Sequence, residues 1–391
     1  MRNDTSGNKN GQRNPNRNPN SRRQKKPISK RTWRVFIKSF LITAIASLAI
    51  ATTVVMAWNR AVAPPPVAAM AQRPVPPIEH IANPNNETYD HQEDDEPEVE
   101  YVWPAPERFT DDDRRDHFWT FLIIGLNEGR NANTVMVASY CYITKEAHII
   151  SIPRDVPVNA NRRGNAQKLA SSYLAGAGGG RGRAGGINQV QMDVMNVIGF
   201  IPDYYVVIDY DTFFTIIDAV GGIEVYVPIR MRYRDPCQNL DIDIQPGLQH
   251  MDSETALHFS RFRQSNRNSP YPSLPDGDIG RTRNQQAVIS AVISSLLSVS
   301  SIPRIPEFVS IFNESVHTNL NFREMMFFAS ELNHVRGADA LSTDTFVPSH
   351  SSGRPLYFEF LSPAGVLEIV NNTINPFSED IELRDLNIVR S

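Results

Sequence analysis

Arginine residues that could bind phosphate recur in three short groups of this sequence. Arg154 lies in Ser-Ile-Pro-Arg-Asp, Arg261 and Arg263 lie in Ser-Arg-Phe-Arg, and Arg281 and Arg283 lie in Gly-Arg-Thr-Arg. Side chains two positions apart in an extended segment point the same way, and a guanidinium group can bind phosphate oxygens through two hydrogen bonds. The set indicates a phosphate or pyrophosphate site, although surface ion pairs with the many acidic residues would explain any single arginine.

A glycine-rich stretch at residues 176–186 is a second segment that could contact phosphate. It lacks the Lys-Ser/Thr pair of a Walker loop and follows no clear strand, so a flexible loop is the favoured interpretation. The sequence contains no His-Glu-x-x-His and no Gly-x-Ser-x-Gly motif. Its two cysteines, Cys141 and Cys237, exclude a disulfide-rich scaffold and a cysteine zinc cluster, and leave open whether they pair with each other.

The net charge of −4 conceals a division between the start of the chain and the remainder. Residues 1–38 carry twelve Lys or Arg and one acid, whereas the remainder carries 27 bases against 42 acids. This distribution argues against a general nucleic-acid binder. Residues 1–34 are predicted to be a disordered basic cytoplasmic tail near anionic lipid, with a nucleic-acid-binding arm as the alternative.

An apolar segment at 35–58 follows this tail. Residues 39–59 contain no charged side chain, and 21 residues in a helix span about 30 Å, the thickness of the hydrocarbon core. The segment predicts a single transmembrane helix of a cell-membrane protein, with the N-terminus in the cytoplasm and the rest outside. A cleaved signal peptide is the alternative. Residues 59–116, rich in proline and acidic side chains, are predicted to be a linker.

The elements that must position the arginines follow from about residue 117. Short apolar runs predict strands at 121–124, 134–143, 148–152, 204–208 and 223–227. Helical spacing predicts helices at 187–198, from an Asp211 cap to Val220, from an Asp252 cap to about Arg261, and at 283–299. This alternation predicts an α/β domain at 117–391, an α-β-α layered sandwich with helices on both faces of a central mixed sheet.

Six segments of residues 117–300, in order, make this sequence resemble the LytR–CpsA–Psr family of membrane-anchored cell-wall ligases. They are Gly125 with Asn133-Thr-Val-Met-Val137, Ser151–Asp155, Lys168–Tyr173, Asp209–Phe213 with Asp218–Val225, Gln249–Leu257 with Arg261-Phe-Arg263, and Asp278–Gln286. The resemblance implies a phosphotransferase that moves a glycopolymer from undecaprenyl pyrophosphate to peptidoglycan. It also implies an apolar pocket for the polyprenyl tail and partners in the cytoplasmic membrane.

The resemblance also assigns roles to residues. It places the pyrophosphate-holding, catalytic arginines at Arg154, Arg261, Arg263 and Arg281. Further pyrophosphate or lipid contacts are assigned to Arg130, Lys168, Asp278, Arg283 and Gln285. Transfer of a phosphoryl group requires neutralisation of oxygen charge and little covalent help, so an arginine cluster suits this chemistry.

Two positions depart from the family pattern. The aspartates that help the family hold magnesium fall on Asn127 and Asn133. An asparagine offers only a neutral carbonyl oxygen, a weaker ligand for Mg²⁺ than a carboxylate. The metal site is therefore expected to be degraded. A non-catalytic polyprenyl-pyrophosphate binder is the alternative function, and a transcription regulator is disfavoured because the predicted domain lies across the membrane from the chromosome.

Overall fold

The computed structural model describes residues 64–67, 108–128, 130–178, 180–238, 240–296, 305–335, 340–353 and 356–390. All of them belong to one compact unit, Ala61–Ser391. The predicted tail at 1–34 and transmembrane helix at 35–58 lie outside the described residues, as does most of the predicted linker. Within the described ranges, no helix has the length and apolar character needed to cross a membrane.

Six strands form a central mixed sheet. The strands along the chain are β1 Phe118–Leu126, β2 Ala132–Cys141, β3 Glu146–Ile152, β4 Tyr204–Ile208, β5 Ile223–Val227, β6 Met231–Asp235, β7 Leu240–Ile244, β8 Gly247–Met251, β9 His317–Thr318, β10 Leu341–Thr345, β11 Pro348–Ser351 and β12 Glu359–Leu361. The sheet has the order β10-β3-β2-β1-β4-β9, and three smaller sheets pair β5 with β8, β6 with β7 and β11 with β12. Strand β1 runs parallel to β4 and β3 runs parallel to β10, while the other pairs in the sheet are antiparallel.

Helices cover both faces of this sheet. They are α1 Ser172–Ala177, α2 Gly182–Ile198, α3 Tyr210–Ala219, α4 Ser253–Arg261, α5 Asp278–Leu296, α6 Ile305–Ser315, α7 Phe322–Glu331 and α8 Pro363–Ile369. On one face, α2 and α8 pack through residues such as Val194 and Val366 against Leu122 and Ile124. On the other, Trp119 contacts Phe327 of α7, because alternate strand residues point to opposite faces. The predicted α/β fold with a central mixed sheet is confirmed.

Residues 108–116, which the sequence assigned to the linker, pack on the domain. The Phe109 ring stacks on Phe377 with centroids 4.0 Å apart. Arg108 forms an ion pair with Asp385 at 2.8 Å. The chain therefore enters the domain beside its own C-terminal segment, at the end of the sheet where β1 begins.

All nine predicted strands and helices overlap elements of the structure, and β4 and β5 have the predicted bounds. The predicted cap of α3 was wrong: Asp209, not Asp211, accepts a hydrogen bond from the Thr212 backbone N–H at 2.9 Å. Helix α5 begins at Asp278, five residues before the predicted start. The cap is Asp209 because an N-cap side chain accepts from the backbone N–H three residues ahead of it. For a helix that begins at Tyr210, that N–H belongs to Thr212.

The glycine-rich stretch is not a loop over its whole length. Gly176 lies in α1 and Gly185 in α2, and only the residues between the two helices connect them. A Cβ atom at Gly176 would lie 2.1 Å from the Gly185 carbonyl oxygen. The glycines therefore allow two helices to approach each other closely, and their concentration in the sequence reflects packing instead of phosphate binding.

Candidate functional site

A cavity of about 460 Å³ opens at the end of the central sheet where β1 and β4 finish. Gly125 near the end of β1, Ile208 at the end of β4 and Asn133 at the start of β2 contribute to its walls. Because β1 and β4 are parallel and β2 is antiparallel to β1, these three positions meet at the same edge. Ligands of open α/β sheets commonly bind at this edge.

Three guanidinium groups converge on one carboxylate at the polar end of the cavity. Arg154 follows β3, Arg263 follows α4, and Arg281 lies in the first turn of α5. Asp278 Oδ2 forms an ion pair with Arg281 Nη2 at 2.7 Å and lies 3.8 Å from Arg154 Nε. Asp278 Oδ1 lies 3.9 Å from Arg263 Nε. Arg154 Nε also lies 3.6 Å from Asp155 Oδ2, and Asp155 pairs in turn with Lys168. Three guanidinium groups and one ammonium group thus face two carboxylates, and the excess of positive charge can accept an anion.

The electrostatics of Arg281 reflect this excess. Burial, together with the neighbouring charges of Arg154 and Arg263, lowers its pKa from the usual value to about 10, and Asp278 opposes the shift. Arg281 therefore remains cationic at neutral pH. The Nε atoms of Arg154 and Arg281 and the Oδ1 atom of Asp278 are buried without a hydrogen-bond partner, so the polar groups of this cluster do not fully satisfy one another.

Arg261 also lines the cavity and lies 5.6 Å from the centre of the Tyr210 ring. Arg261 is the last residue of α4, and the extended backbone at Phe262 brings Arg263 to the same cavity. The expectation that these two side chains point the same way agrees with this arrangement. Asp209 and Tyr210 line the cavity as well, and neither was among the predicted site residues. Their position directly after a predicted strand was the available signal.

The remainder of the wall is largely apolar. Ile123, Phe213, Leu257, Val288 and Ile289 contribute to it. Val288 and Ile289 belong to α5. The apolar face of α2 does not contribute to the cavity, because it packs into the core on the opposite side of the sheet. The cavity thus joins a cationic end to an apolar wall.

The other predicted site residues divide between the cavity rim and the surface. Gln285 lines the cavity. Lys168 does not line the cavity, and its Nζ pairs with Asp155 Oδ1 at 2.7 Å. Arg130 is exposed in the loop after β1, and Arg283 is exposed and pairs with Asp276. The structure brings neither Arg130 nor Arg283 into the cavity wall.

Two buried amides of α5 fix the helix in place. Gln286 donates to Ser151 Oγ at 2.9 Å and to the Asp344 carbonyl at 2.7 Å, which links α5 to the edge of the sheet. Asn284 donates to the Phe259 carbonyl at 3.0 Å, which links α5 to α4. These bonds set the rotation of α5, and with it the direction of Arg281.

The residues at the family's magnesium position do not fit this ion. Asn127 Oδ1 accepts a hydrogen bond from the Asn131 backbone N–H at 2.8 Å, and Asn133 Oδ1 accepts one from Arg154 Nη1 at 3.2 Å. Both oxygens thus already accept hydrogen bonds, one of them from a cation. In the part of the chain that the structure describes, no three His, Cys, Asp or Glu side chains are grouped to hold a metal. Mg²⁺ favours sites with carboxylates and phosphates.

A buried carboxylate, Glu359, lies next to this cluster. Its backbone N–H donates to the Asp155 carbonyl at 3.1 Å, and its side chain accepts from the Tyr357 hydroxyl at 3.0 Å. Burial, with the nearby charges of Asp278 and Asp155, raises the pKa of Glu359. Nothing in the sequence pattern pointed to this residue.

The model of the LytR_cpsA_psr family matches residues 81–352. The chain belongs to this family. A curated relative is the polyisoprenyl-teichoic acid–peptidoglycan teichoic acid transferase TagV of Bacillus subtilis, 29% identical over 183 residues, which are 46% of this chain and 42% of TagV. The biofilm regulatory protein A of Streptococcus mutans is 26% identical over 52% of this chain and 50% of its own length. The chain thus matches about half the length of these relatives.

Solved structures share the fold. The crystal structure of B. subtilis TagV superimposes with a TM-score of 0.53 at 23% identity. The superposition covers 65% of this chain and 95% of the crystallised TagV chain. TagT bound to LIIa-WTA superimposes with a TM-score of 0.51 at 17% identity, and covers 68% of this chain and 92% of TagT. Membership of the family and its mixed α/β fold are therefore established for this chain.

Proposed function

We propose that this chain transfers a glycopolymer from an undecaprenyl-pyrophosphate carrier to peptidoglycan, as a single-pass protein whose domain lies outside the cytoplasmic membrane. The observation that carries the proposal is the convergence of Arg154, Arg263 and Arg281 on the single carboxylate of Asp278, beside an apolar wall. This combination suits a ligand with a pyrophosphate head and a hydrocarbon tail. TagV is a polyisoprenyl-teichoic acid–peptidoglycan teichoic acid transferase, and TagT has been solved bound to LIIa-WTA; both agree with this class of substrate.

The proposed step is a phosphoryl transfer. The acceptor hydroxyl oxygen of peptidoglycan bonds to the phosphorus that carries the glycan, and the bond from that phosphorus to the bridging oxygen breaks. Polyprenyl monophosphate leaves with the bridging oxygen, and the hydroxyl proton passes to solvent. Positive charge held close to the phosphate oxygens lowers the barrier of such a step. Arg154, Arg263 and Arg281 supply that charge, and Arg261 lies at the same wall.

The proposed site binds pyrophosphate through guanidinium groups without a resident magnesium ion. The support is the engagement of both asparagine oxygens with hydrogen-bond donors and the position of Arg154 next to Asn133. A magnesium ion can arrive and leave with the substrate, whereas a guanidinium group is fixed to the protein. The guanidinium charge is therefore in position before the substrate binds.

A transfer assay tests the proposal. The full chain in detergent is incubated with a lipid-pyrophosphate glycan donor and peptidoglycan oligomers, with either Mg²⁺ or EDTA. We expect glycan attached to peptidoglycan in both conditions, and less of it with Arg281→Ala. Absence of product with the wild type, despite binding of the donor lipid, would favour the alternative of a non-catalytic polyprenyl-pyrophosphate binder, which the asparagines at 127 and 133 support.

A topology experiment tests the proposed location. A reporter that is active only outside the cytoplasm is fused to the C-terminus of the full chain. We expect activity of this reporter. Activity of a matched cytoplasmic reporter instead would contradict the location and reopen the regulatory function that the name of the S. mutans relative suggests for that protein.

A further inference from the structure

A strip of aromatic side chains lies on one face of the hairpin formed by β11 and β12. Phe358 immediately precedes β12 and Phe360 lies on it, on either side of buried Glu359, so the extended backbone directs both rings away from the face that Glu359 occupies. His350 pairs with Phe360 across the hairpin, and their rings stack with centroids 4.8 Å apart and planes 11° apart. The Phe358 ring lies 6.3 Å from that of Phe360.

This aromatic strip is partly open to solvent. His350 is exposed, and Phe358 and Phe360 are half-buried. Tyr357, the residue before Phe358, is 46% exposed. Hydroxyl groups lie beside the rings, since Ser349 Oγ donates to the Phe360 carbonyl at 3.0 Å. A surface of flat apolar faces beside hydroxyl groups matches a sugar ring, which has C–H groups on its faces and hydroxyls on its edge.

The aromatic strip is joined directly to the cationic end of the cavity. The Lys168 ammonium lies 5.8 Å from the centre of the Phe358 ring and 2.7 Å from Asp155 Oδ1. The Glu359 backbone N–H donates to the Asp155 carbonyl. Asp155 is the neighbour of Arg154, which lines the cavity. A molecule on the strip therefore lies next to the phosphate-binding arginines.

The dimensions favour a separate place for the second substrate. The cavity, at about 460 Å³, is mostly apolar away from its arginines, and a lipid carrier would fill it. The ring centroids of Phe358 and Phe360 lie 6.3 Å apart, which is the scale of one pyranose ring. Transfer also requires an acceptor hydroxyl held close to the phosphate.

We propose that Phe358, Phe360 and His350 form the surface that binds the glycan strand of peptidoglycan, the acceptor in the transfer. This inference rests on the proposed function and assigns it a second substrate site. The sugar rings stack on the aromatic faces, and the acceptor hydroxyl is directed past Asp155 towards the arginines. A lipid tail is a poorer occupant, because the strip is shallow and bordered by Ser349, Tyr357 and Lys168.

Binding measurements on the full chain in detergent test this site. The glycan probe is a set of uncrosslinked peptidoglycan strands freed of their peptides by an amidase, and the donor probe is farnesyl pyrophosphate. Loss of a stacked ring is worth roughly 0.5–1.5 kcal/mol, so we expect Phe360→Ala and Phe358→Ala each to weaken glycan binding about three- to tenfold. Phe360→Tyr keeps the ring and should bind glycan within twofold of the wild type.

A matched control separates a local effect from a general one. Tyr226 on β5 is 69% exposed and belongs to a different sheet, so Tyr226→Ala should leave glycan binding unchanged. Thermal unfolding of each variant checks the fold, and Phe358→Ala serves where Phe360→Ala unfolds. All variants should bind farnesyl pyrophosphate as the wild type does.

The outcomes distinguish this inference from the transfer itself. Equal glycan binding by the wild type and both alanine variants overturns the acceptor site, as does a wild type that binds no glycan strands at millimolar concentration. Weakened farnesyl pyrophosphate binding in Phe360→Ala assigns the strip to the lipid carrier and also overturns it. Glycan binding that depends on the strip, in a chain that transfers nothing, supports the site while the proposed reaction fails.

Discussion

Two regions of this domain pair arginine with carboxylate in opposite ways. At the edge where β1 begins, one arginine meets one carboxylate: Arg114 Nη2 donates to Asp203 Oδ1 at 2.7 Å and to Oδ2 at 2.8 Å. Thr120 donates to the same carboxylate through its N–H and its hydroxyl. At the opposite edge, Arg154, Arg263 and Arg281 share Asp278. The first pair is balanced in charge, whereas the second cluster is not.

The difference separates an arginine that stabilises the fold from arginines that we propose bind a ligand. A buried pair with matched charges has little to gain from another anion, and removal of one partner leaves an uncompensated charge. A cluster with more cations than carboxylates has an excess of positive charge that an anionic ligand would neutralise. Burial does not distinguish the two kinds of arginine, since Arg114 and Arg281 are both largely inaccessible. The ratio of guanidinium groups to carboxylates does distinguish them.

The largest effect is expected at the balanced pair. Arg114→Ala leaves the buried carboxylate of Asp203 without its cation, so we expect the free energy of unfolding to fall by about 3–5 kcal/mol. Denaturant titration measures this change. Arg384→Ala, which removes an exposed arginine paired with Glu382, is the control and should change stability by about 0.5 kcal/mol or less. A small effect of Arg114→Ala would erase the distinction between the two regions.

The unbalanced cluster should respond in the reverse way. Arg263→Ala and Arg261→Ala each remove a charged contact to phosphate, worth roughly 1.5–3 kcal/mol, so binding of farnesyl pyrophosphate should weaken about tenfold or more. Thermal unfolding without ligand should change little. Arg283→Ala is the matched control, because Arg283 lies on the same helix as Arg281 and is directed to Asp276 instead. Unchanged binding in both test variants would refute the assignment.

The metal prediction sharpens the comparison further. With the wild type, Mg²⁺ and EDTA should give farnesyl pyrophosphate affinities within about twofold, because arginines supply the charge. Asn127→Asp combined with Asn133→Asp restores two formal charges and should make binding depend on Mg²⁺, with roughly tenfold stronger binding when the ion is present. Calorimetric titrations of both proteins check this. Strict dependence on Mg²⁺ in the wild type would contradict the interpretation of the two asparagines.

The smallest effect concerns the buried acid beside the cluster. The pKa of Glu359 is raised above its ordinary value of 4.5, so the folded protein holds this proton more tightly than the unfolded chain does. The stability of the wild type should therefore fall, relative to Glu359→Gln, as pH rises from about 4.5 through the raised pKa. Urea titrations of both proteins between pH 4 and 8 measure the difference. A constant difference across this range would show that the carboxyl is not perturbed.

The sequence predicted local features well. The bounds of β4 and β5 followed from short apolar runs, and the Asp252 cap of α4 followed from its spacing to the amide of Thr255. Each of these depends on residues close together in the chain. The glycine-rich stretch was predicted to be a loop from its composition. This prediction failed because the glycines serve the contact between α1 and α2, which a local sequence pattern does not record.

The site shows the same limit on prediction. Arg261 and Arg263 flank the end of a helix in extended backbone, so spacing alone placed them together. Arg281 and Arg283 have the same spacing, but they lie within α5, where two residues are separated by about 200° around the axis. Only Arg281 therefore reaches the cavity. The position of Glu359 beside the cluster depends on a hairpin more than 70 residues farther along the chain than Arg281. No sequence pattern connects the two residues.

The edge at which the chain enters the domain has a geometric consequence for a membrane carrier. Arg114 pairs with Phe377 at the start of β1, while the cavity lies beyond its end, and nine residues of strand span roughly 30 Å. If residues 35–58 anchor the protein as proposed, a taut tether would hold the cavity away from the lipid. Residues 59–107 supply 49 positions, with a contour length of about 160 Å. If residues 59–107 form the proposed linker, this length exceeds the roughly 30 Å between the entry point and the cavity, and the linker would allow the cavity to face the carrier.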